Sequence, residues 1–178
     1  VQELSNLLMS NNTLITLDIH FNNIHSDEMY IIANAIKCNT TLKKLCIDGN
    51  SIGDGFRELV DVLKYNTTLE ILICNDNFIG DDCAKQLAEL LKVNTTLKEI
   101  NMSANEIGNE YIQELVDSLK INNTLEYLSL SCNELNNDSI CKLADALKYN
   151  KGLKILDINH NEFDENCHEY VMEALQYN

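Results

Sequence analysis

One short phrase recurs six times along this chain of 178 residues, and it limits the folds that the sequence can adopt. The phrase opens with leucine, has apolar residues three and five positions later, and reaches an asparagine eight positions after the leucine. The opening residues are Leu14, Leu42, Leu69, Leu97, Leu125 and Leu153, at spacings of 28, 27, 28, 28 and 28 residues. A fixed period of this length is typical of repeat architectures, in which each unit packs against its neighbours.

Each phrase predicts a short strand, and the residues after it predict a helix. Leu17 and Ile19 alternate with polar residues such as Asp18, so the two sets of side chains face opposite sides of a strand. Further along each repeat the apolar spacing becomes helical, as for Leu87 and Leu91. Neither element buries its apolar side alone, so the repeats must stack.

The asparagine of the phrase is present in every copy. A buried asparagine side chain offers two donors and an acceptor, so a stacked row of them can bond the backbone of loops that have no sheet partner. We therefore predict a structural asparagine ladder. Its members are Asn22, Asn50, Asn77, Asn105, Asn133 and Asn161.

A turn is predicted three positions after the last five of these asparagines, because the residues there tolerate a left-handed backbone. These residues are Gly53, Gly80, Gly108, Asn136 and Asp164. The repeat that opens at Leu42 is one residue short near this point, so we expect its helix to begin differently.

The repeat resembles the leucine-rich-repeat family, and its length is similar to that of the ribonuclease-inhibitor-like class. That class also supplies the repeat regions of NOD-like receptors, Ran GTPase-activating proteins and tropomodulin. The resemblance covers the whole chain and implies an α/β right-handed solenoid, or horseshoe, with a concave parallel sheet of about six strands and convex helices. We expect one solenoid over residues 1–178. Residues 1–13 would be the closing helix of a preceding repeat, and repeats would begin at positions 14, 42, 69, 97, 125 and 153 of a longer array.

The net charge of the chain limits its possible partners, and its cysteines indicate the cellular compartment. With 13 basic and 28 acidic residues the net charge is −15, which argues against nucleic acid and against an anionic membrane surface. The seven cysteines are odd in number and include no C-x-x-C pair, which favours a reducing compartment such as the cytoplasm. A secreted effector stays open as an alternative.

Side chains two, four and six positions after each opening leucine point outward from the strands, and we call this set the concave face. It varies between repeats while the inward positions do not, as expected of a binding site carried by a scaffold. Family members often bind partners there, and the apolar Ile71, Ile73 and Cys46 lie near its middle. The predicted partner-binding residues are Lys44, Cys46, Ile71, Ile73, Glu99, Asn101, Tyr127, Ser129, Ile155 and Asp157.

The sequence predicts no catalytic residue, no cofactor and no metal ligand. Cys132 and His160 occupy one position in adjacent repeats, but nothing nearby supplies an oxyanion hole. An EF-hand-like run after Asp48 fails because Ile52 and Leu59 stand where oxygen ligands are needed.

The leading hypothesis is a protein–protein interaction module that is not an enzyme. The alternatives are a regulator of an enzyme and a structural spacer domain. A regulator would be a GTPase activator or an enzyme inhibitor. The concave face carries four acidic residues and one lysine, which is weak support for an inhibitor of a basic enzyme. Arg57, the sole arginine, falls on a convex helix. Self-association through the uncapped ends is also expected.

Overall fold

The computed structural model describes residues 1–175, except the side chains at positions 166, 168, 174 and 175. Within this range strands and helices alternate. The strands are β1 Thr16–Asp18, β2 Lys44–Cys46, β3 Ile71–Ile73, β4 Glu99–Asn101, β5 Tyr127–Ser129 and β6 Ile155–Asp157. The helices are α1 Gln2–Ser10, α2 Ser26–Cys38, α3 Gly55–Leu63, α4 Asp82–Leu91, α5 Ile112–Ile121, α6 Asn137–Leu147 and α7 Glu165–Leu175.

The six strands form one parallel sheet in sequence order. The register places each residue beside its counterpart in the next repeat, so that Thr16 pairs with Lys44, which pairs with Ile71. The same register continues to β6. The chain is therefore an α/β solenoid, as predicted, and its outward side chains form continuous rows across the sheet.

The core lies between the sheet and the helices. The central residue of each strand from β2 to β5 is fully buried, as are helix residues such as Phe56 and Leu87. Burying a side chain of this size stabilises a fold by about 1.5–3 kcal/mol, so the stacked apolar layer is the main source of stability. Each repeat contributes the same positions to this layer, as the sequence pattern predicts.

Ladder asparagines bond the backbone of the neighbouring repeat. The Asn105 side-chain amide donates to the carbonyl oxygens of Cys74 and Ser103, at 2.9 and 3.1 Å. Its Oδ1 accepts the N–H of Asn77 at 3.0 Å. The amide oxygen of Asn133 likewise accepts the N–H groups of Asn105 and Ile107. One side chain therefore satisfies backbone groups of two repeats.

The ladder is incomplete beside the short repeat. The Asn77 amide still donates to the carbonyl oxygens of Ile47 and Asn75, but its buried Oδ1 has no hydrogen-bond partner. The Gly53 N–H donates to the Asn77 carbonyl at 3.1 Å, and the equivalent backbone bond recurs in the next repeat from Gly80 to Asn105 at 2.9 Å. The missing residue thus changes the loop while leaving the strand register intact.

A second asparagine row, three positions before each opening leucine, fixes the other end of the strands. Asn39 donates to the carbonyl oxygens of Leu8 and Asn11, and its Oδ1 accepts the N–H groups of Thr41 and Leu42. The same pattern recurs at Asn94, Asn122 and Asn150, which are all buried. The repeated Asn-Thr-Thr segments of the sequence are explained by this role.

The left-handed residues lie mostly at another position than the one predicted. Gly53 and Gly80 have φ of 41° and 78°, as expected, but Gly108 has no positive φ. Asn136 was also wrongly predicted: its φ is −88° and it caps α6 by accepting the N–H of Ser139. The residue directly before every ladder asparagine is left-handed, and so is the residue directly after it at Asn23, Phe78 and Glu106. The column before the asparagines comprises Phe21, Gly49, Asp76, Ala104, Cys132 and His160.

Replacing Asn105 by leucine tests the ladder. The substitution leaves buried backbone groups of two repeats without partners, so we expect the free energy of unfolding to fall by about 1–3 kcal/mol in a urea titration. The control is Asn22→Leu, because Asn22 is exposed and its amide donates only to its own repeat, at His20. Equal losses at the two positions would contradict the role assigned to the ladder.

Candidate functional site

The register of the sheet arranges the side chains of the concave face in rows that run across the strands. Neighbouring side chains within one row come from adjacent strands, which lie about 4.8 Å apart. The first row is Thr16, Lys44, Ile71, Glu99, Tyr127 and Ile155. The second row is Asp18, Cys46, Ile73, Asn101, Ser129 and Asp157. All ten predicted partner-binding residues therefore lie in two adjacent rows of one surface.

A hollow of about 380 Å³ lies at the start of strands β3 to β6. Its apolar part is formed by Ile71, Tyr127 and Ile155, with Glu99 between the first two. Ile155 is 54% exposed, whereas Ile71 and Tyr127 are half-buried. The hollow thus offers apolar surface to solvent at a fixed place on a rigid sheet.

Ion pairs line the edge of this hollow. Lys98 Nζ lies 2.7 Å from Glu70 Oε2, and Lys154 Nζ lies 2.6 Å from Glu126 Oε2. Lys98, and after it Lys43, holds the pKa of Glu70 below its usual value, and Lys154 does the same for Glu126. Exposed pairs of this kind stabilise the fold little, but they fix charged groups around the apolar floor.

The second row carries a network of hydroxyl and amide groups. The Ser103 hydroxyl lies 2.7 Å from Asn101 Oδ1 and 2.8 Å from the Ser129 hydroxyl. Ser129 in turn donates to Asp157 Oδ2 at 3.1 Å. These groups satisfy one another, which leaves Ser129 only 1% exposed.

Two of the ten predicted residues are therefore poorly accessible. Ser129 is covered by its own hydrogen bonds, and Cys46 is buried between its neighbours, where burial raises the pKa of the thiol. The remaining eight are exposed or half-buried.

Acidic groups and a histidine occupy the β1–β2 side of the face. His20 Nδ1 lies 2.6 Å from Asp18 Oδ1, and this hydrogen bond lowers the pKa of Asp18 and raises that of His20. Burial, and then the charge of Asp18, raise the pKa of Asp48. The buried Asp48 Oδ1 has no hydrogen-bond partner.

A smaller hollow of about 170 Å³ separates α3 from α4 on the helix side. Arg57 lies here, 3.7 Å from Asp82, as expected for a residue away from the concave face. The buried Gln86 forms part of its lining, and the Oε1 of this residue has no hydrogen-bond partner.

A family model described as leucine rich repeat matches residues 93–110 and 122–144, which include β4, β5 and most of α6. The chain has the leucine-rich-repeat fold. Its 28-residue spacing fits the ribonuclease-inhibitor-like class. No curated protein sequence matches it.

Two solved structures share the leucine-rich-repeat fold of this chain. One is titled as actin-binding site 2 of leiomodin-1; it is 17% identical, with a TM-score of 0.69 over 98% of this chain and 87% of that one. The other is the tropomodulin C-terminal domain of Caenorhabditis elegans, 16% identical, with a TM-score of 0.57 over 98% of this chain and 90% of that one. At these identities the likeness concerns the fold.

Other kinds of site find little support in the described part of the repeat protein. No group of three or more His, Cys, Asp or Glu among the described side chains, which do not include His168, is placed to hold a metal ion. No helix in that range is long and apolar enough to cross a membrane. Cys132 and His160 are both exposed loop residues with a left-handed backbone.

Sequence reasoning missed the charged edge of the hollow. Glu70, Lys98, Glu126 and Lys154 directly follow the opening leucines of four consecutive repeats, so their signs alternate along one row. This alternation was readable, because residues at one position in adjacent repeats are neighbours in a parallel sheet. The Ser129 network was not readable, since it depends on side-chain rotamers.

The Asp18–His20 pair gives a measurable titration. Asp18 is ionised above its lowered pKa and His20 is protonated below its raised pKa, so the charged pair exists between these two values and is lost as pH rises through the pKa of His20. In Asp18→Asn we expect the His20 midpoint, followed by NMR, to fall toward the ordinary value of 6.5. The matching variant in β6, Asp157→Asn, should leave the midpoint unchanged. If the titration midpoint of His20 is the same in Asp18→Asn as in the wild type, the pairing is refuted.

Proposed function

We propose that this leucine-rich-repeat chain is a protein–protein interaction module whose partner binds on the concave face, at the hollow over β3 to β6. The observation that carries the proposal is the apolar floor of Ile71, Tyr127 and Ile155, framed by ion pairs. An apolar centre with an aromatic residue and a polar rim is the usual anatomy of a protein interface.

The energetics favour binding at this hollow. Covering apolar surface contributes about 25 cal/mol per Å², and the three floor residues are only partly covered in the free chain. The surrounding carboxylates and lysines already pair with one another, so a partner need not supply counter-charges for them. The sheet holds these side chains in place, which lowers the entropy lost on association.

The partner is proposed to be another protein with an apolar anchor that fits the hollow. Actin is the first candidate to test, because the structurally similar leiomodin-1 domain is titled as an actin-binding site. The excess of acid over base in the whole chain supports neither nucleic acid nor an anionic membrane as the partner.

We place this module in a reducing compartment such as the cytoplasm, and we propose no catalytic activity for it. The odd number of cysteines and their lack of a C-x-x-C pair support the first assignment. A hollow lined by no serine, cysteine or histidine side chain supports the second.

Substituting the floor of the hollow tests the proposal. Wild-type chain and the double variant Ile71→Asp, Tyr127→Ala are immobilised, and retained actin and other retained proteins are quantified by mass spectrometry. We expect the variant to lose at least about tenfold in affinity for a concave-face partner, since a buried carboxylate and a lost aromatic anchor each weaken an interface.

The matched control removes exposed aromatic surface on the helix side. Tyr65 and Tyr149 are 86% and 64% exposed, so Tyr65→Ala with Tyr149→Ala changes similar chemistry away from the concave face. Its partner retention should equal that of the wild type. Retention that survives the floor substitutions but falls in the control would move the site to the helices. Retention of nothing by the wild-type chain would favour the spacer alternative.

A further inference from the structure

Two cysteine thiols meet between the last two described helices. Cys141 of α6 and Cys167 of α7 have their Sγ atoms 3.3 Å apart. A disulfide bond is about 2.05 Å long, so the two atoms need to approach by only about 1.3 Å to bond. No other pair of thiols is in hydrogen-bond contact among residues 1–175.

The two thiols differ in their access to solvent. Cys141 is half-exposed and occupies a helix position whose counterparts in four earlier repeats are all exposed. Those counterparts are Tyr30, Arg57, Lys85 and Gln113. Cys167 is only 3% exposed and shares its position with the buried Cys83. A solvent-reachable thiol therefore lies directly against a sheltered one.

We propose that Cys141 and Cys167 form a redox modification site, in which a hydroperoxide converts the thiol pair into a disulfide that joins α6 to α7. This site is independent of the concave face, because both residues lie on the helix side of the solenoid.

The chemistry needs one equivalent of oxidant. The Cys141 thiolate attacks the peroxide, the O–O bond breaks, and a sulfenic acid forms. When the oxidant is hydrogen peroxide, the hydroxide that leaves takes up the proton released by the Cys141 thiol and becomes water. The Cys167 sulfur then attacks the Cys141 sulfur, the S–O bond breaks, and hydroxide leaves and takes up the Cys167 proton as a second water. Two thiols are oxidised and one peroxide is reduced.

The order of the two steps follows from the surroundings. Burial, and after it the hydrogen bond with Cys141, raise the pKa of the Cys167 thiol well above its usual value. Cys167 is therefore the poorer first nucleophile, while its position against Cys141 suits it to resolve the sulfenic acid.

The disulfide would add a covalent tie where the reduced chain relies on polar contacts. Tyr170 of α7 donates to Asp145 Oδ1 at 2.7 Å, and Lys148 Nζ lies 4.8 Å from the Tyr170 ring centre. These polar contacts are partly exposed and are lost on unfolding. A disulfide from position 141 to position 167 persists in the unfolded chain, lowers its conformational entropy and so stabilises the folded state.

The test uses a background without the two exposed thiols, Cys38→Ser with Cys132→Ser, so that intermolecular disulfides do not form there. The folded chain is treated with equimolar hydrogen peroxide, alkylated, digested and analysed by mass spectrometry. We expect a monomer in which the peptides of Cys141 and Cys167 are joined with the loss of two hydrogens. The Tm should rise by about 5–10 °C, and dithiothreitol should reverse this rise.

Two further variants in that background separate the steps. Cys141→Ser should abolish both the cross-link and the rise in Tm. Cys167→Ser should leave Cys141 as a sulfenic acid that dimedone traps. The proposal is overturned if both thiols of the peroxide-treated background chain remain open to alkylation after unfolding, or if Cys141 is oxidised further without cross-linking.

Discussion

Hydrogen bonds from asparagine side chains to the backbone of adjacent repeats are the constraint on which this structure depends. Strands of three residues have few ladder bonds of their own, although backbone bonds between repeats continue on both sides of them, as from Phe21 N–H to the Asp48 carbonyl. The amides of residues such as Asn105 and Asn122 bond further backbone groups at the two ends of each strand. Apolar burial makes the stack stable, but the amides decide how one repeat sits on the next.

Because of these hydrogen bonds, residues that recur at one position of the sequence repeat form one continuous surface. Because each repeat repeats the same bonds, counterparts such as Ile71, Glu99 and Tyr127 come side by side without any contact between their side chains being required. Residues on the concave face can therefore differ from repeat to repeat, and the hollow over β3 to β6 is formed by the residues that occupy its first row. The proposed function depends on this independence of the concave-face residues from the residues that hold the repeats together.

Most of the repeating fold could be predicted from the sequence, but much less of the detail of the concave face could be. Leucine spacing predicts the sheet order, and alternation predicts which residues point outward. The left-handed column was missed because Phe21 and Cys132 are residue types that rarely adopt this backbone, so their identity gives no signal. The concealment of Ser129 was missed because it arises from hydroxyl contacts across three repeats. Such contacts follow from coordinates and not from a period.

The repeat that begins at Leu42 shows where the solenoid tolerates a change of length. It lacks one residue, yet β2 and β3 keep the common register, and the difference is absorbed between the ladder asparagine and the start of α3. Insertions and deletions should therefore accumulate in that connection and be excluded from the strands. Duplication or exchange of entire repeats during evolution would then keep the sheet and its register. Each such change would place a different series of outward side chains on the same backbone.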